Sequence, residues 1–166
     1  MKKVALAILL LVVINTLGFS QSGTIKGQLV DFVTSQPISD KAIIVYGTTN
    51  GVQTDKEGKF ELKNLKFTTT EINIQGGQVI GESQNNIVNY FSTSVRNIDL
   101  NRKNKTIDLG VIYLVEKNSS DLVAQIPCKI LAENKFKYQL VDGSDRYIDG
   151  QHVLIDFSKN SESCNK

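Results

Sequence analysis

From Gly23 onward, apolar residues alternate with polar ones or cluster in short runs, and Gly, Pro, Asn and Asp break the runs. No stretch carries a sustained i, i+3, i+4, i+7 apolar stripe of helical length. The pattern predicts strands, and an all-β domain. Residues 24–31 read as the first strand, with Ile25, Leu29 and Val30 apolar and Gly27 at a bulge or close-packing point. Residues 32–39 read as a loop, where Pro37, lacking an N–H, suits a strand entry or an edge. Residues 42–46 form the most apolar strand of the domain, and β-branched Ile43, Ile44 and Val45 suit a buried pleated surface.

Asn50-Gly51 marks a turn, since both residues tolerate positive φ. Residues 52–54 and 59–62 are then expected to pair as a hairpin across Asp55-Lys56-Glu57-Gly58. Phe60 and Leu62 stand two apart, so both face the core. Asp55 caps the turn with its carboxylate, and Gly58 supplies a positive φ.

Weaker strand signals follow at 71–74, 98–100, 107–109 and 110–114. Residues 81–94 read as a surface loop whose Tyr90 and Phe91 are candidate contact side chains. Core filling is the competing fate of such a pair. Beyond residues 117–120 an extension reads as three more β segments, at 122–131, 135–141 and 152–157. Asp142-Gly143 and Asp149-Gly150 predict turns between them. The second candidate contact loop, 142–150, offers Arg146 and Tyr147. The extension either adds strands to the main sheets or folds as a small sheet of its own.

Gly27-Gln28-Leu29, Pro37-Ile38, the strand at 42–45, Gly47-Thr48 and Thr54-Asp55-Lys56-Glu57-Gly58-Lys59-Phe60 together resemble the carboxypeptidase regulatory-like domain family. The match is specific over residues 24–62 and looser to about residue 115. The resemblance implies a Greek-key, transthyretin-like seven-stranded β-sandwich, here followed by a C-terminal β extension. Where the family usually carries Gly-Tyr after its fifth strand, this chain has Gly76-Gly77. In larger relatives the domain is an appendage to a receptor or a peptidase, which implies an accessory role at the cell envelope.

Lys2 and Lys3 precede an apolar run over residues 4–17, and Gly18-Phe19-Ser20 follows. This is the pattern of a secretory signal peptide cut after Ser20, because spanning a bilayer needs about 20 apolar residues. The organisation expected is a leader at 1–20, a sandwich at 21–117 and the extension at 118–166, with no transmembrane segment after leader removal. The product is expected in the periplasm, at the outer membrane or in the medium. Loss of Lys2 and Lys3 leaves 17 basic against 17 acidic side chains. A neutral chain has no general attraction for nucleic acid. Export places Cys128 and Cys164 in an oxidising compartment, where a bridge is worth about 4 kcal/mol in the chain-entropy view. Two unpaired thiols are the alternative.

No catalytic set emerges. His152 is the one histidine, which removes a paired-His metalloprotease site. It reads as a surface residue at a strand start. Cys128 beside Lys129 reads as disulfide or buried thiol before reactive thiolate. Asp55-Lys56-Glu57-Gly58 and Asp142-Gly143-Ser144-Asp145 read as turns, since neither supplies the six to eight oxygens calcium needs. No metal, cofactor or phosphate-binding loop is expected. The expected function is contact with an envelope protein or glycan, without catalysis. A purely structural envelope protein is the alternative, and a hydrolase pairing His152 with Asp149 or Asp156 is the remote one.

Overall fold

The computed structural model describes residues 22–80, 87–121, 123, 129–131, 134–136, 138–144 and 149–157. The leader expected at 1–20, Cys128, Cys164, Arg146 and Tyr147 lie outside the described residues. The first nine strands are β1 (Gly23–Asp31), β2 (Ala42–Val45), β3 (Gly51–Gln53), β4 (Lys59–Leu65), β5 (Thr69–Ile74), β6 (Gly77–Ile80), β7 (Ile87–Tyr90), β8 (Thr93–Asp99) and β9 (Thr106–Leu114). A 3-10 turn at Lys117–Ser119 precedes β10 (Lys129–Leu131), β11 (Asn134–Phe136), β12 (Tyr138–Ser144) and β13 (Asp149–Asp156).

A three-stranded sheet, β4-β1-β9, and a six-stranded sheet, β12-β13-β8-β5-β2-β3, close over one core as a sandwich. Both are mixed: β1 runs parallel to β9, and β13 parallel to β8. Ile25, Leu29, Leu62 and Ile112 enter the core from the smaller sheet. Ile43, Ile72, Ile74, Val95, Val153 and Ile155 enter from the larger. Each such side chain is worth about 1.5–3 kcal/mol when fully buried. Period-two alternation places such residues inward: Phe60 and Leu62 are buried while Lys59, Glu61 and Lys63 are exposed, and a bulge then returns Leu65 to the core.

Several local expectations change. β3 and β4 do not form a hairpin: β3 pairs with β2, and β4 with β1, so the turn between them carries the chain from one sheet to the other. Its chemistry is as expected. Asp55 Oδ1 accepts from Lys59 N (2.8 Å), and Gly58 takes φ +71°. The reason for the sheet change lies in how this turn docks. Leu29 N donates to Gly58 O (2.8 Å), and a Cβ on Gly58 would collide with Leu29 O, so the turn is seated on β1. The β2–β3 turn bends at Gly47 (φ +73°), while Asn50 and Gly51 lead into β3. The segments at 107–109 and 110–114 are one strand, β9, bulged at Gly110 (φ +66°) where its register against β1 slips. Gly27 sits at the same slip, and a Cβ there would stand 3.0 Å from the Phe60 ring.

The extension does both things that the pattern allowed. β12 and β13 join the larger sheet beside β8, while β10 and β11 form a separate two-stranded ribbon. Asp142-Gly143 and Asp149-Gly150 are not turns. They face each other within the β12–β13 ladder, Gly143 opposite Gly150 and Asp142 opposite Gln151. The connection between these strands falls at 145–148, outside the described residues. Likewise the expected loop at 81–94 holds β7 and the start of β8, with 81–86 outside the described residues. Among the described residues, no helix is long and apolar enough to cross a membrane.

Candidate functional site

β2 has Lys41 just before its first residue and Tyr46 just after its last. These two residues mark opposite ends of the sandwich. The Lys41 end is closed. Its amine donates to the carbonyls of Gly76 (3.0 Å) and Gly77 (3.1 Å) and stands 5.7 Å over the Tyr90 ring. Tyr90 donates its hydroxyl to Asp31 Oδ2 (2.8 Å). Asp31 Oδ1 accepts from Val33 N, Thr34 N and Thr34 Oγ1. Burial lowers the Lys41 amine below its ordinary pKa. Burial, followed by the Asp31 carboxylate, pushes the Tyr90 phenol upward.

Tyr90 and Phe91 are therefore core residues, only 5% and 3% exposed, and not contact side chains. The hydroxyl of Tyr90 finds an internal carboxylate, which is what permits an amphipathic ring to sit this deep. His152 is also buried, at 4% exposure, and is not a surface residue. Its Nδ1 lies 3.1 Å from Gly150 O, and its Nε2 has no partner among the described residues. Asp156 is engaged by Asn97 Nδ2 instead (2.8 Å). Among the described residues, no three His, Cys, Asp or Glu side chains cluster as metal ligands.

The Tyr46 end is open, and two bulges shape it. On β8 the register against β5 slips between Val95 and Ile98, so Arg96 and Asn97 oppose Glu71 alone. On β4 the register against β1 slips between Leu62 and Leu65, around Asn64. Asn64 (φ +58°) and Asn97 (φ +60°) take the left-handed conformation at these two slips. Asn tolerates it better than other non-glycine residues, and bulges re-aim the side chains beside them. One comes from each sheet, and both line a cavity of about 560 Å³ at the sandwich end.

Tyr46, Glu71 and Arg96 line the same cavity. Tyr46 is fixed by its backbone, which donates to Glu71 O (2.8 Å), while 47% of the residue stays exposed. Glu71 Oε2 lies 2.9 Å from Arg96 Nε as an ion pair. With its amide nitrogen turned toward the acceptors, fully buried Asn73 donates to Glu71 Oε1 (3.1 Å) and Ser94 Oγ (2.9 Å). The carboxylate is thus held from both sides. The end of β13 and the residue after it brace the site: Asp156 holds Asn97, and Phe157 N donates to Arg96 O (2.9 Å).

None of these residues stood out in the sequence. Glu71 and Arg96 are 25 positions apart and meet only through the β5–β8 pairing. The one usable signal was Tyr46 followed by Gly47, an aromatic at a strand end beside a turn glycine.

A second hollow, of about 740 Å³, lies on the outer face of the smaller sheet among Lys26, Lys59, Glu61 and Asp108. Lys26 and Asp108 pair across it at 3.1 Å, both about half exposed. Backbone donation from Gly110 and the Lys26 ammonium hold the Asp108 carboxyl below its ordinary pKa. Its aromatic member, Phe60, is buried.

The molecule is thus an all-β, two-sheet sandwich with one closed and one open end. No family model matches the chain, and no curated protein matches it. Among solved structures it is similar to BcpA, the major pilin subunit of Bacillus cereus, at 11% identity and TM-score 0.44, over 58% of this chain and 30% of that one. It is also similar to a chain of a type II cohesin–X-dockerin complex from Acetivibrio cellulolyticus, at 17% identity and TM-score 0.43, over 68% of this chain and 64% of that one. A 9R-lipoxygenase from Cyanothece PCC8801 matches at 20% identity and TM-score 0.39, over 56% of this chain and 16% of that one. The matched region therefore spans under a third of the pilin chain. These likenesses assign no activity or partner.

Proposed function

We propose that this chain is an exported, non-catalytic β-sandwich module of the bacterial cell envelope. It works by contact with an envelope protein or glycan through the open end of the sandwich. One observation carries the reading: two bulges, one per sheet, bring left-handed Asn64 and Asn97 into a single cavity beside half-exposed Tyr46. Left-handed non-glycine residues cost stability and persist where the surroundings hold them; Ser35 and Asp40 take the same conformation beside the closed end, so the shared cavity is what sets Asn64 and Asn97 apart. A rigid sandwich carrying its contacts at one end is a common design for binding modules.

The carboxypeptidase regulatory-like reading belongs here too. Of the nine strands in the two large sheets, seven fall within residues 23–114, three in one sheet and four in the other. That division supports the transthyretin-like sandwich, and the two remaining strands come from the extension.

The test is affinity capture from a bacterial envelope extract with tagged chain starting at Gln21, beside a Tyr46→Ala variant. A component retained by the wild type and lost by the variant supports the reading. Equal retention by both, or by neither, contradicts it. Export is checked separately by sequencing the N-terminus of the secreted product, expected at Gln21.

A further inference from the structure

We infer that the open-end cavity takes an uncharged oligosaccharide. This rests on the contact-module reading and names the ligand class for the same site. The volume, about 560 Å³, falls in the range of small-ligand pockets (~300–1,000 Å³) and is too small for a folded partner.

The chemistry of the walls narrows the class. Tyr46 offers an exposed ring anchored by its own backbone, a platform for the C–H face of a sugar ring. Asn50, Asn64 and Thr69 line the cavity and make no other side-chain hydrogen bond among the described residues. Amides and hydroxyls both donate and accept, as sugar hydroxyls do, whereas a phosphate or carboxylate ligand would call for donors alone. Of the charges in the wall, Glu71 and Arg96 form a 2.9 Å ion pair, and exposed Lys66 is left as one solvent-facing ammonium. The pair offers adjacent hydroxyls partners of both signs, and the field of the one exposed Lys66 ammonium is screened by solvent and salt, which the acidic control probes directly.

The backbone argues against an extended peptide. A peptide adding to a sheet edge needs unpaired main-chain groups. At this rim Val45 N donates to Asn50 O (2.9 Å), Tyr46 N to Glu71 O (2.8 Å) and Leu100 N to Thr68 O (3.2 Å). β4, at the edge of the smaller sheet, is the exception on this rim, and exposed Lys63 within it and Lys66 just after it disfavour strand addition. The hollow on the smaller sheet has no exposed aromatic and presents exposed charges of both signs, so it lacks the same features.

The test titrates the chain from Gln21 with cello-, manno-, xylo-, malto- and chito-hexaose, and with an acidic control, hexagalacturonate. Calorimetry gives affinity and amide NMR gives location. At least one neutral hexamer is expected to bind with Kd below about 1 mM, with under about a twofold change between low and high salt. Shifts should centre on Tyr46, Asn64, Glu71 and Asn97. Tyr46→Ala should weaken binding about tenfold, the scale of one lost ring platform, while Tyr46→Phe keeps most of it. Lys26→Ala, on the other face, should leave binding unchanged.

Binding of the acidic hexamer alone, with steep salt dependence, overturns the inference. So does silence across the panel. If the panel is silent while a Tyr46-dependent envelope protein is captured, the carbohydrate inference falls and the module reading stands. If both fail, both fall.

Discussion

The two ends of the sandwich solve the same problem in opposite ways. Strands stop, and the polar groups at their ends need partners. At the Lys41 end the chain turns them inward: an ammonium bonds two carbonyls and lies over a phenol ring whose hydroxyl bonds a carboxylate, nearly out of contact with water. At the Tyr46 end the chain bulges twice, keeps Tyr46 half exposed and leaves a cavity. The contrast separates stability from contact. Buried polar groups that are fully satisfied rigidify a fold, and breaking one leaves the others unpaired in a low dielectric. At the open end the two bulges instead hold a cavity in shape.

Mutations at the two ends should therefore fall into different classes. The largest effect is expected from Gly76→Ala at the closed end. A Cβ there would collide with Ser92 N and come within 2.6 Å of other backbone, which cannot move like a side-chain tip. A loss of about 3 kcal/mol in denaturant unfolding is expected. Asp31→Ala follows, at about 2–3 kcal/mol, because four donors lose their acceptor. If either variant unfolds at the wild-type midpoint, the closed end is not the clamp described here.

Two buried tyrosines, Tyr90 at the closed end and Tyr138 on β12, set a pH dependence. Tyr90 and Tyr138 have pKa values raised by burial from 10.0. Such groups contribute stability that is present below the unfolded value and lost as pH rises above it. Lys41, lowered from 10.5, acts the other way, and its burial penalty eases as pH approaches that value. Two tyrosines outweigh one lysine above pH 10, so the urea midpoint should fall there. Replacing both tyrosines by Phe should flatten or reverse that fall.

At the open end the expected stability changes are small and differ in sign. Asn97→Gly removes the left-handed penalty and should stabilise by up to about 1 kcal/mol, less what the Asp156 hydrogen bond contributes. Tyr46→Ala should move stability by about 0.5 kcal/mol or less, as for most exposed sites.

The all-β class, β1, β2, the inward faces of β4 and β5, and the Asp55–Gly58 turn were legible from residue pattern, because they rest on period two and on turn chemistry within a few residues. What pairs with what was not. The turn after β3 looks like a hairpin turn locally, and only its seat on β1 shows that it changes sheets. The open end escaped for the same reason. Its bulges are properties of two strands in register, and Glu71 meets Arg96 across a ladder that no spacing announces. Tyr90 and Phe91 misled because a Tyr-Phe pair among asparagines resembles a contact loop, until Asp31, 59 positions away, supplies the hydroxyl's partner.

The most direct test sets Tyr46→Ala beside Tyr90→Ala in one experiment, recording thermal midpoint and ligand or partner retention together. The two-end account predicts that Tyr46→Ala melts with the wild type and loses retention. It predicts that Tyr90→Ala melts several degrees lower and, below its own midpoint, still retains what the wild type retains. Tyr46→Ala keeping full retention, or Tyr90→Ala losing it while folded, would contradict the assignment of contact to the open end.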